Sequence, residues 1–136
     1  MRFVDTNVLL YAVSTVPGEA GKAAAARQVL EATDLALSVQ VLQEFYVQAT
    51  RGTRSDRLSH DQASGLIESW LRFTVGEIAV PLVQAALGAT GRYRISYWDA
   101  MIIESARALG CGTVLSEDLA HGRDYDGVRV RNPFRP

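Results

Sequence analysis

Residues 1–10 read MRFVDTNVLL and carry the clearest local pattern of the chain. The apolar residues 3–4 end abruptly in the polar triplet Asp-Thr-Asn at 5–7, after which the apolar run resumes. The pattern predicts a short buried strand, a polar tip and the first turn of a helix. In open parallel sheets, functional groups sit at such strand ends. We therefore expect Asp5 to lie at the carboxyl end of a strand and to be central to function.

Two interpretations of Asp5 remain open on this stretch alone. A strand that feeds directly into a helix is usually a central strand with both faces covered, so a charge at its end borders the core. Such a charge is costly unless it is paired or bound to a cation. Aspartate is also a favoured N-cap, however, and a purely local capping role would explain the residue equally well.

Length and composition bound the remaining possibilities. With 136 residues, of which 48% are apolar and 21% charged, we expect one globular domain spanning 1–136. No apolar stretch approaches the roughly 20 residues that span a bilayer, and the start lacks the features of a signal peptide, so we expect a cytoplasmic protein with no membrane association. Cys111 is the only cysteine, which excludes an internal disulfide and a cysteine-rich zinc site. We expect it to be buried beside a strand, and His60 and His121 to lie at the surface.

The basic residues are almost all arginine. The formal net charge is −1, and Lys22 is the single lysine. Arginine binds phosphate bidentately, so arginine clusters could follow a nucleic-acid backbone, although solvated surface arginines are the ordinary explanation. The clusters are Arg51, Arg54 and Arg57, then Arg92 and Arg94, then Arg129, Arg131 and Arg135.

Helical and strand patterns alternate along the chain. Capping, propensity and periodicity predict helices over 19–31, from 39 to about 51, from 59 or 60 through 71, from Pro81 until residues 91–94 break it, and from Ser96 to Gly110. Short apolar runs predict strands at 35–37, 73–80 and 112–115, and a last edge strand around 128–130. We expect the helix after Pro81 to bury Leu82, Val83, Ala86 and Leu87. The alternation predicts a three-layer α/β/α fold with a mostly parallel sheet.

Three further acids are candidate site residues, one after a predicted strand and two on predicted helices. Asp99 precedes the predicted buried positions Ile102 and Ile103 by three and four residues, although a favourable interaction with the helix dipole, of about 0.3–1 kcal/mol, is an alternative explanation. Asp118 lies in a polar tip after a short strand, which repeats the arrangement at Asp5. Glu44 borders the apolar stripe of the third predicted helix.

In the predicted fold these four acids converge on one cleft. Clustered carboxylates without histidine or cysteine partners suit a hard cation bound through oxygen, Mg²⁺ or Mn²⁺. Such a site generates a nucleophilic hydroxide and neutralises a phosphodiester in the transition state.

The acidic motifs resemble those of PIN domains. The matching stretches are FVDTN at 3–7, Glu44, YWDA at 97–100 and LSED at 115–118, and the resemblance extends over practically the whole chain, from about 3 to 133. It is closest to VapC-type toxins of type II toxin–antitoxin systems, whose chains often end in a tail comparable to 126–134. The order and spacing of the four acidic motifs, more than any single motif, make the resemblance specific.

The resemblance implies a Mg²⁺-dependent endoribonuclease with a PIN-like fold. By position, Asp5 and Asp99 would be the principal metal ligands, Asp118 would bind the metal directly or through water, and Glu44 would be a ligand or general base. Thr6, Asn7 and Ser116 match positions that orient the carboxylates and water. The family also implies an RNA substrate, a cognate antitoxin and a homodimer.

Other classes fit less well. A haloacid-dehalogenase-like phosphatase needs a second aspartate where this chain has Asn7, and a receiver domain needs an early acid pair and a late lysine. The alternative that remains is a PIN-like module that binds nucleic acid or protein without cutting it, since a fold does not establish a function. RNA cleavage with Mg²⁺ or with EDTA distinguishes the two.

Overall fold

The computed structural model describes residues 1–136 as a mixed α/β fold. Its strands are β1 (Arg2–Val4), β2 (Leu35–Ser38), β3 (Thr74–Gly76), β4 (Thr113–Leu115), β5 (Asp124–Tyr125) and β6 (Val128–Arg131). Its α-helices are α1 (Thr6–Ala12), α2 (Ala20–Leu30), α3 (Val39–Ala49), α4 (His60–Trp70), α5 (Val80–Tyr93) and α6 (Tyr97–Ala108), with a 3₁₀ turn at Pro17–Glu19. None of these helices has both the length and the apolar character that a membrane span requires.

The six strands form one sheet in the order β3-β2-β1-β4-β6-β5, in which only the β5–β6 pair is antiparallel. The connections from β1 to β2 and from β2 to β3 step in one direction, whereas the connection from β3 to β4 crosses back. Because parallel crossovers are right-handed, α1–α4 and the α5–α6 pair cover opposite faces. The predicted α/β/α arrangement with a mostly parallel sheet is confirmed.

The same topology positions a crevice between two strands. β1 and β4 are neighbours in the sheet, but the connections that follow them lead in opposite directions. Ligands of open α/β sheets bind at such a switch point, outside the carboxyl ends of the strands. Residues that follow Val4 and Leu115 therefore border a natural binding crevice.

The core lies on both faces of the sheet. Phe3 and Val4 are completely buried on opposite sides of β1. Under α3 and α4, Phe45 and Trp70 pack edge to face with ring centroids 4.7 Å apart. Cys111 is buried next to β4, as the sequence predicts.

Local capping signals are confirmed. The Ser38 hydroxyl accepts the backbone N–H of Val41 at the start of α3, and Ser59 forms a capping box with Gln62 at the start of α4. Such caps satisfy the free N–H groups of the first turn, which is why these helices begin where the sequence places them.

Two strand predictions are wrong. β3 covers only Thr74–Gly76 instead of 73–80, because the ladder with β2 ends at the pair Ser38–Gly76. The terminal strand β6 is not at the edge: it pairs with β4 on one side and β5 on the other. The sequence feature that could have predicted β5 is the Asp126-Gly127 dipeptide, which forms the two-residue hairpin turn between β5 and β6. Both residues have positive φ angles, 52° and 98°.

The helix α5 also differs from its prediction. It starts at Val80 and continues through residues 91–93, and it ends only where Arg94 adopts a left-handed conformation with φ of 55°. Leu87 is 60% exposed, and Ala89 takes the buried position instead. Leu82, Val83 and Ala86 lie on the inner face as predicted, and only Leu87 does not; this face packs small residues against α6.

Candidate active site

Asp5 follows β1 and is both an N-cap and a buried carboxylate. The Thr6 backbone N–H donates to its Oδ1 at 2.7 Å, so Asp5 is the N-cap of α1, as the capping interpretation predicts. The Ser116 hydroxyl donates to Oδ2 at 2.7 Å, and Asn7 Nδ2 approaches the same oxygen at 3.4 Å. Asp5 is only 8% exposed and has no basic partner. Capping alone does not explain a buried, unpaired charge.

Ser116 and Asn7 connect the ends of β1 and β4. Ser116 Oγ accepts the backbone N–H groups of Asp118 and Leu119 at 3.2 and 3.3 Å while its proton points to Asp5. Asn7 Nδ2 lies 3.2 Å from Asp118 Oδ2, and Asn7 Oδ1 accepts the backbone N–H of Glu117 at 3.2 Å. The two polar tips predicted from the sequence are therefore one hydrogen-bonded unit.

Two helices contribute the remaining acids. Glu44 on α3 accepts the Thr6 hydroxyl at 2.8 Å and Gln40 Nε2 at 3.0 Å. Asp99 lies in the first turn of α6, where the Ser96 hydroxyl accepts its backbone N–H at 3.1 Å. The cap on α6 thus fixes the backbone that carries Asp99.

All four predicted acids line a single pocket of about 130 Å³. No arginine, lysine or histidine lines it, and none of the four acids forms an ion pair. The lining residues are Asp5, Thr6, Asn7, Leu10, Gln40, Glu44, Gln48, Trp98, Asp99, Ile102 and Asp118. Ser116 is buried behind Asp5 and does not line the pocket.

Burial and like charge perturb these acids. Burial raises the pKa of Asp5 to about 6, in spite of the hydrogen bonds from Ser116 and Thr6, and the charges of Asp118 and Glu44 add to the rise. Burial also raises the pKa of Asp99, opposed by a hydrogen bond with Ser96 and reinforced by Asp118 and Glu44. The acids therefore act electrostatically on one another, as expected for carboxylates around one pocket.

The arginines and histidines lie elsewhere. Arg92 pairs with Asp126 at 2.6 Å, and Arg54 pairs with Asp56 at 2.8 Å. His60 and His121 are exposed, as predicted. The largest cavity, about 580 Å³, is lined mainly by apolar residues near the ends of α2 and α4 and shares no residue with the acidic pocket.

A comparison with protein families identifies the class of this fold. The model of the PIN domain matches residues 2–123, which is most of the chain and includes all four acids. The chain belongs to the PIN domain family. The resemblance stated from the acidic motifs is thereby confirmed at the level of the family.

Solved structures show the same PIN fold at low sequence identity. One is a toxin–antitoxin complex from Klebsiella pneumoniae, with a TM-score of 0.71 and 19% identity over 98% of each chain. Another is VapC20 of Mycobacterium tuberculosis, described as a sarcin-ricin loop cleaving toxin, with a TM-score of 0.68 and 17% identity over 87% of this chain and 90% of that one. A third is VapBC2 from Rickettsia felis bound to a promoter DNA fragment, with a TM-score of 0.66 and 14% identity over 96% of this chain and 97% of that one. A search of curated proteins finds no match.

The donor chemistry of the PIN pocket fits a hard divalent cation. Every charged side chain that lines the pocket is a carboxylate, the ligand type that Mg²⁺ and Mn²⁺ prefer, and the lining residue Gln40 has a buried Oε1 without a hydrogen-bond partner. No three acidic, histidine or cysteine side chains are gathered closely enough to form a metal-binding group by themselves. The acids surround the pocket, and a cation would have to draw them together.

Sequence reasoning missed several of the residues that line the PIN pocket. Gln40 and Gln48 lie one helical turn before and after Glu44, so the four-residue spacing along α3 was a usable signal. Trp98 directly precedes Asp99 and is 62% exposed, which the sequence does not reveal.

Proposed function

We propose that this PIN domain is a Mg²⁺-dependent endoribonuclease, with Mn²⁺ as a possible substitute. The observation that carries the proposal is the placement of Asp5, Glu44, Asp99 and Asp118 around one pocket that contains no basic side chain. A buried, unpaired carboxylate such as Asp5 is costly without a positive partner, and a divalent cation supplies one.

Each acid has a proposed role in this site. Asp5, Asp99 and Asp118 would hold the cation, which supplies charge neutralisation at the phosphodiester and a nucleophilic water at neutral pH. Glu44 would complete the site as a ligand or as the base that accepts the proton of the attacking water. Thr6 holds Glu44, and Asn7 and Ser116 hold Asp5 and Asp118.

The proposed biological role is that of the toxin in a type II toxin–antitoxin pair. Support comes from the fold shared with the toxin–antitoxin complex from Klebsiella pneumoniae and with VapBC2 from Rickettsia felis, and from the description of VapC20 as a sarcin-ricin loop cleaving toxin. A cognate antitoxin and a homodimer remain part of the proposal. Co-expression with the product of an adjacent small gene tests for the antitoxin, and light scattering tests for the homodimer.

Cleavage of RNA with Mg²⁺, with Mn²⁺ and with EDTA is the direct test. We expect cleavage with either metal and none with EDTA. In parallel, either metal should raise the Tm of the chain by mass action, because the cation binds only the folded state. Metal-independent cleavage would contradict the assignment, and RNA binding without cleavage under all three conditions would favour a non-cleaving module.

A further inference from the structure

The acidic pocket has one aromatic wall. Trp98, in the first turn of α6, is 62% exposed, whereas the only other tryptophan, Trp70, is 3% exposed and packs in the core. Apart from Trp98, only Leu10 and Ile102 are hydrophobic among the pocket residues. A large indole exposed beside acids and amides is unusual, because the apolar surface of an indole stabilises the fold only when it is buried.

The indole is held from one side. Tyr97 packs against the small cluster between α5 and α6, and its ring meets that of Trp98 edge to face at a centroid distance of 5.1 Å. Because Trp98 immediately precedes Asp99 on the capped turn of α6, its place relative to the acids is fixed by the backbone. The exposed surface is thus presented at the rim of the pocket by a supported helix start.

We propose that the exposed indole of Trp98 is a stacking platform for one unpaired nucleobase of the RNA whose phosphodiester enters the acidic pocket. The proposal rests on the endoribonuclease function proposed above. Sequence-tolerant recognition of single-stranded RNA relies on aromatic side chains that stack on unpaired bases. A base on Trp98 places the adjoining phosphate next to Asp99, where the pocket begins.

The surroundings favour a nucleotide over a protein surface. A second copy or another partner that packs an apolar face on Trp98 would also cover Asp99 and the exposed Asp118, and these carboxylates would then need basic side chains from that partner. A nucleotide instead places only its flat base on the indole and leaves its backbone in the polar part of the pocket, where a cation offsets the charges.

The two tryptophans make the test selective. In a Trp70→Phe chain, Trp98 is the sole tryptophan, so its fluorescence reports on this surface alone. We expect single-stranded hexaadenylate in the presence of Ca²⁺, an oxygen-binding cation that offsets the charges of the acids, to quench its emission and to protect it from acrylamide, and a hexamer RNA duplex to do neither. The affinity is followed independently by the anisotropy of end-labelled hexaadenylate. No binding, or binding without quenching, would overturn the proposal, as would emission that changes with protein concentration alone, which would put a second copy on Trp98.

Variants of the otherwise native chain separate stacking from simple exposure. Trp98→Ala should weaken hexaadenylate binding about 5- to 150-fold, the range that corresponds to a stacking contribution of about 1–3 kcal/mol per base. Trp98→Phe should retain most of the affinity because it keeps an aromatic face. The matched control is Leu87→Ala, since Leu87 is 60% exposed on α5 and does not line the pocket. Equal affinities for Trp98→Ala and Leu87→Ala would overturn the proposal.

Cleavage assays show which of the two proposals has failed. If the parent chain cleaves RNA with Mg²⁺ but Trp98→Ala has the same KM and kcat, the endoribonuclease function stands and the stacking platform is wrong. If no RNA is cleaved while hexaadenylate still quenches Trp98, the platform stands and the nuclease proposal is wrong.

Discussion

The two walls of the acidic pocket are built differently. The strand wall consists of Asp5, Asn7 and Asp118, with Ser116 buried behind them, and each of these four residues hydrogen-bonds to another of the set. The helix wall, Trp98 and Asp99 on α6, meets none of these four residues through a hydrogen bond and depends on the cap at Ser96. One wall is organised by folding itself, and the other presents side chains that a ligand can still adjust.

The sheet explains this difference. The Asp5 N–H donates to Leu115 O, and the Ser116 N–H donates to Arg131 O, so both polar tips are extensions of the strand ladder. The helix wall instead follows the turn at Arg94, whose left-handed conformation joins α5 to α6. We therefore expect changes in the strand wall to affect metal binding and stability together, and changes in the helix wall to affect chiefly ligands.

The largest expected effect is the loss of cleavage in Asp5→Asn and Asp99→Asn. Either change removes a charge from the proposed metal site without altering side-chain volume, and we expect the rate to fall by more than about 100-fold, beyond the effect of losing an indirect partner. The measurement is RNA cleavage with Mg²⁺, with circular dichroism to verify folding. Full activity in a folded variant would remove that residue from the site.

The second prediction concerns pH and the strand wall alone. The pKa of Asp5 is about 6 against its ordinary value of 3.8, so its ionisation costs stability as the pH rises through this interval. The cost is absent below 3.8 and complete above about 6, where it amounts to about 3 kcal/mol in the metal-free protein. Urea unfolding in EDTA between pH 4 and about 7 should show this decline in the parent and a smaller decline in Asp5→Asn, in which the raised pKa of Asp99 still contributes.

Asp34→Asn is the control for that experiment. Asp34 is exposed, and its hydrogen bond with Arg2 lowers its pKa. Its contribution to the stability of the fold is therefore fully present at pH values above its ordinary pKa of 3.8 and is lost only as the pH falls below that value. The decline in this variant should match that of the parent. An unchanged decline in Asp5→Asn would mean that Asp5 is not the group responsible.

Much of this arrangement could be predicted from the sequence, for a physical reason. A buried strand that ends in a polar tip is a local pattern, and it placed Asp5 and Asp118 at strand ends correctly. The caps at Ser38, Ser59 and Ser96 are local as well. Such features depend on interactions within a few residues, which a single sequence displays.

The features that escaped prediction depend on distant partners. Whether β6 lies at the edge depends on β5, and the burial of Ala89 instead of Leu87 on α5 depends on how this helix packs against α6. The exposure of Trp98 at the pocket, and the contact of Lys22 with Glu117, 95 residues away and outside the pocket, exist only in the folded chain. The roles of the four acids in catalysis stay predictions until the variants are measured.

The third prediction compares the serines that support each wall. Ser116→Ala removes the strongest side-chain donor to Asp5, which should raise the pKa of Asp5 further and cost about 1–3 kcal/mol of stability. We expect cleavage to fall about 10- to 100-fold at neutral pH and to recover partly at higher pH. Ser96→Ala should cost about 1 kcal/mol through the lost cap, with a smaller effect on cleavage. The measurement is the pH–rate profile of both variants, and identical profiles would contradict the distinction between the walls.

The smallest expected effect comes from Lys22, behind the strand wall. Lys22 Nζ lies 2.7 Å from Glu117 Oε1 and 4.9 Å from the ring centroid of Tyr11, which in turn packs edge to face on Phe134. The other oxygen of Glu117 is buried without a partner, so losing Lys22 leaves this carboxylate uncompensated beside Asp118.

Neutralising Lys22 should therefore loosen the segment that carries Asp118 and reduce cleavage by about 10-fold or less, in the range of indirect partners. Because Lys22 is the only lysine, chemistry can test the charge in the native sequence. Acetylation removes the charge and reductive methylation keeps it, so only acetylation should lower activity and the metal-induced rise in Tm. A Lys22→Arg chain treated in the same way controls for the N-terminal amine. Equal activity after the two modifications would show that the charge of Lys22 does not support the strand wall.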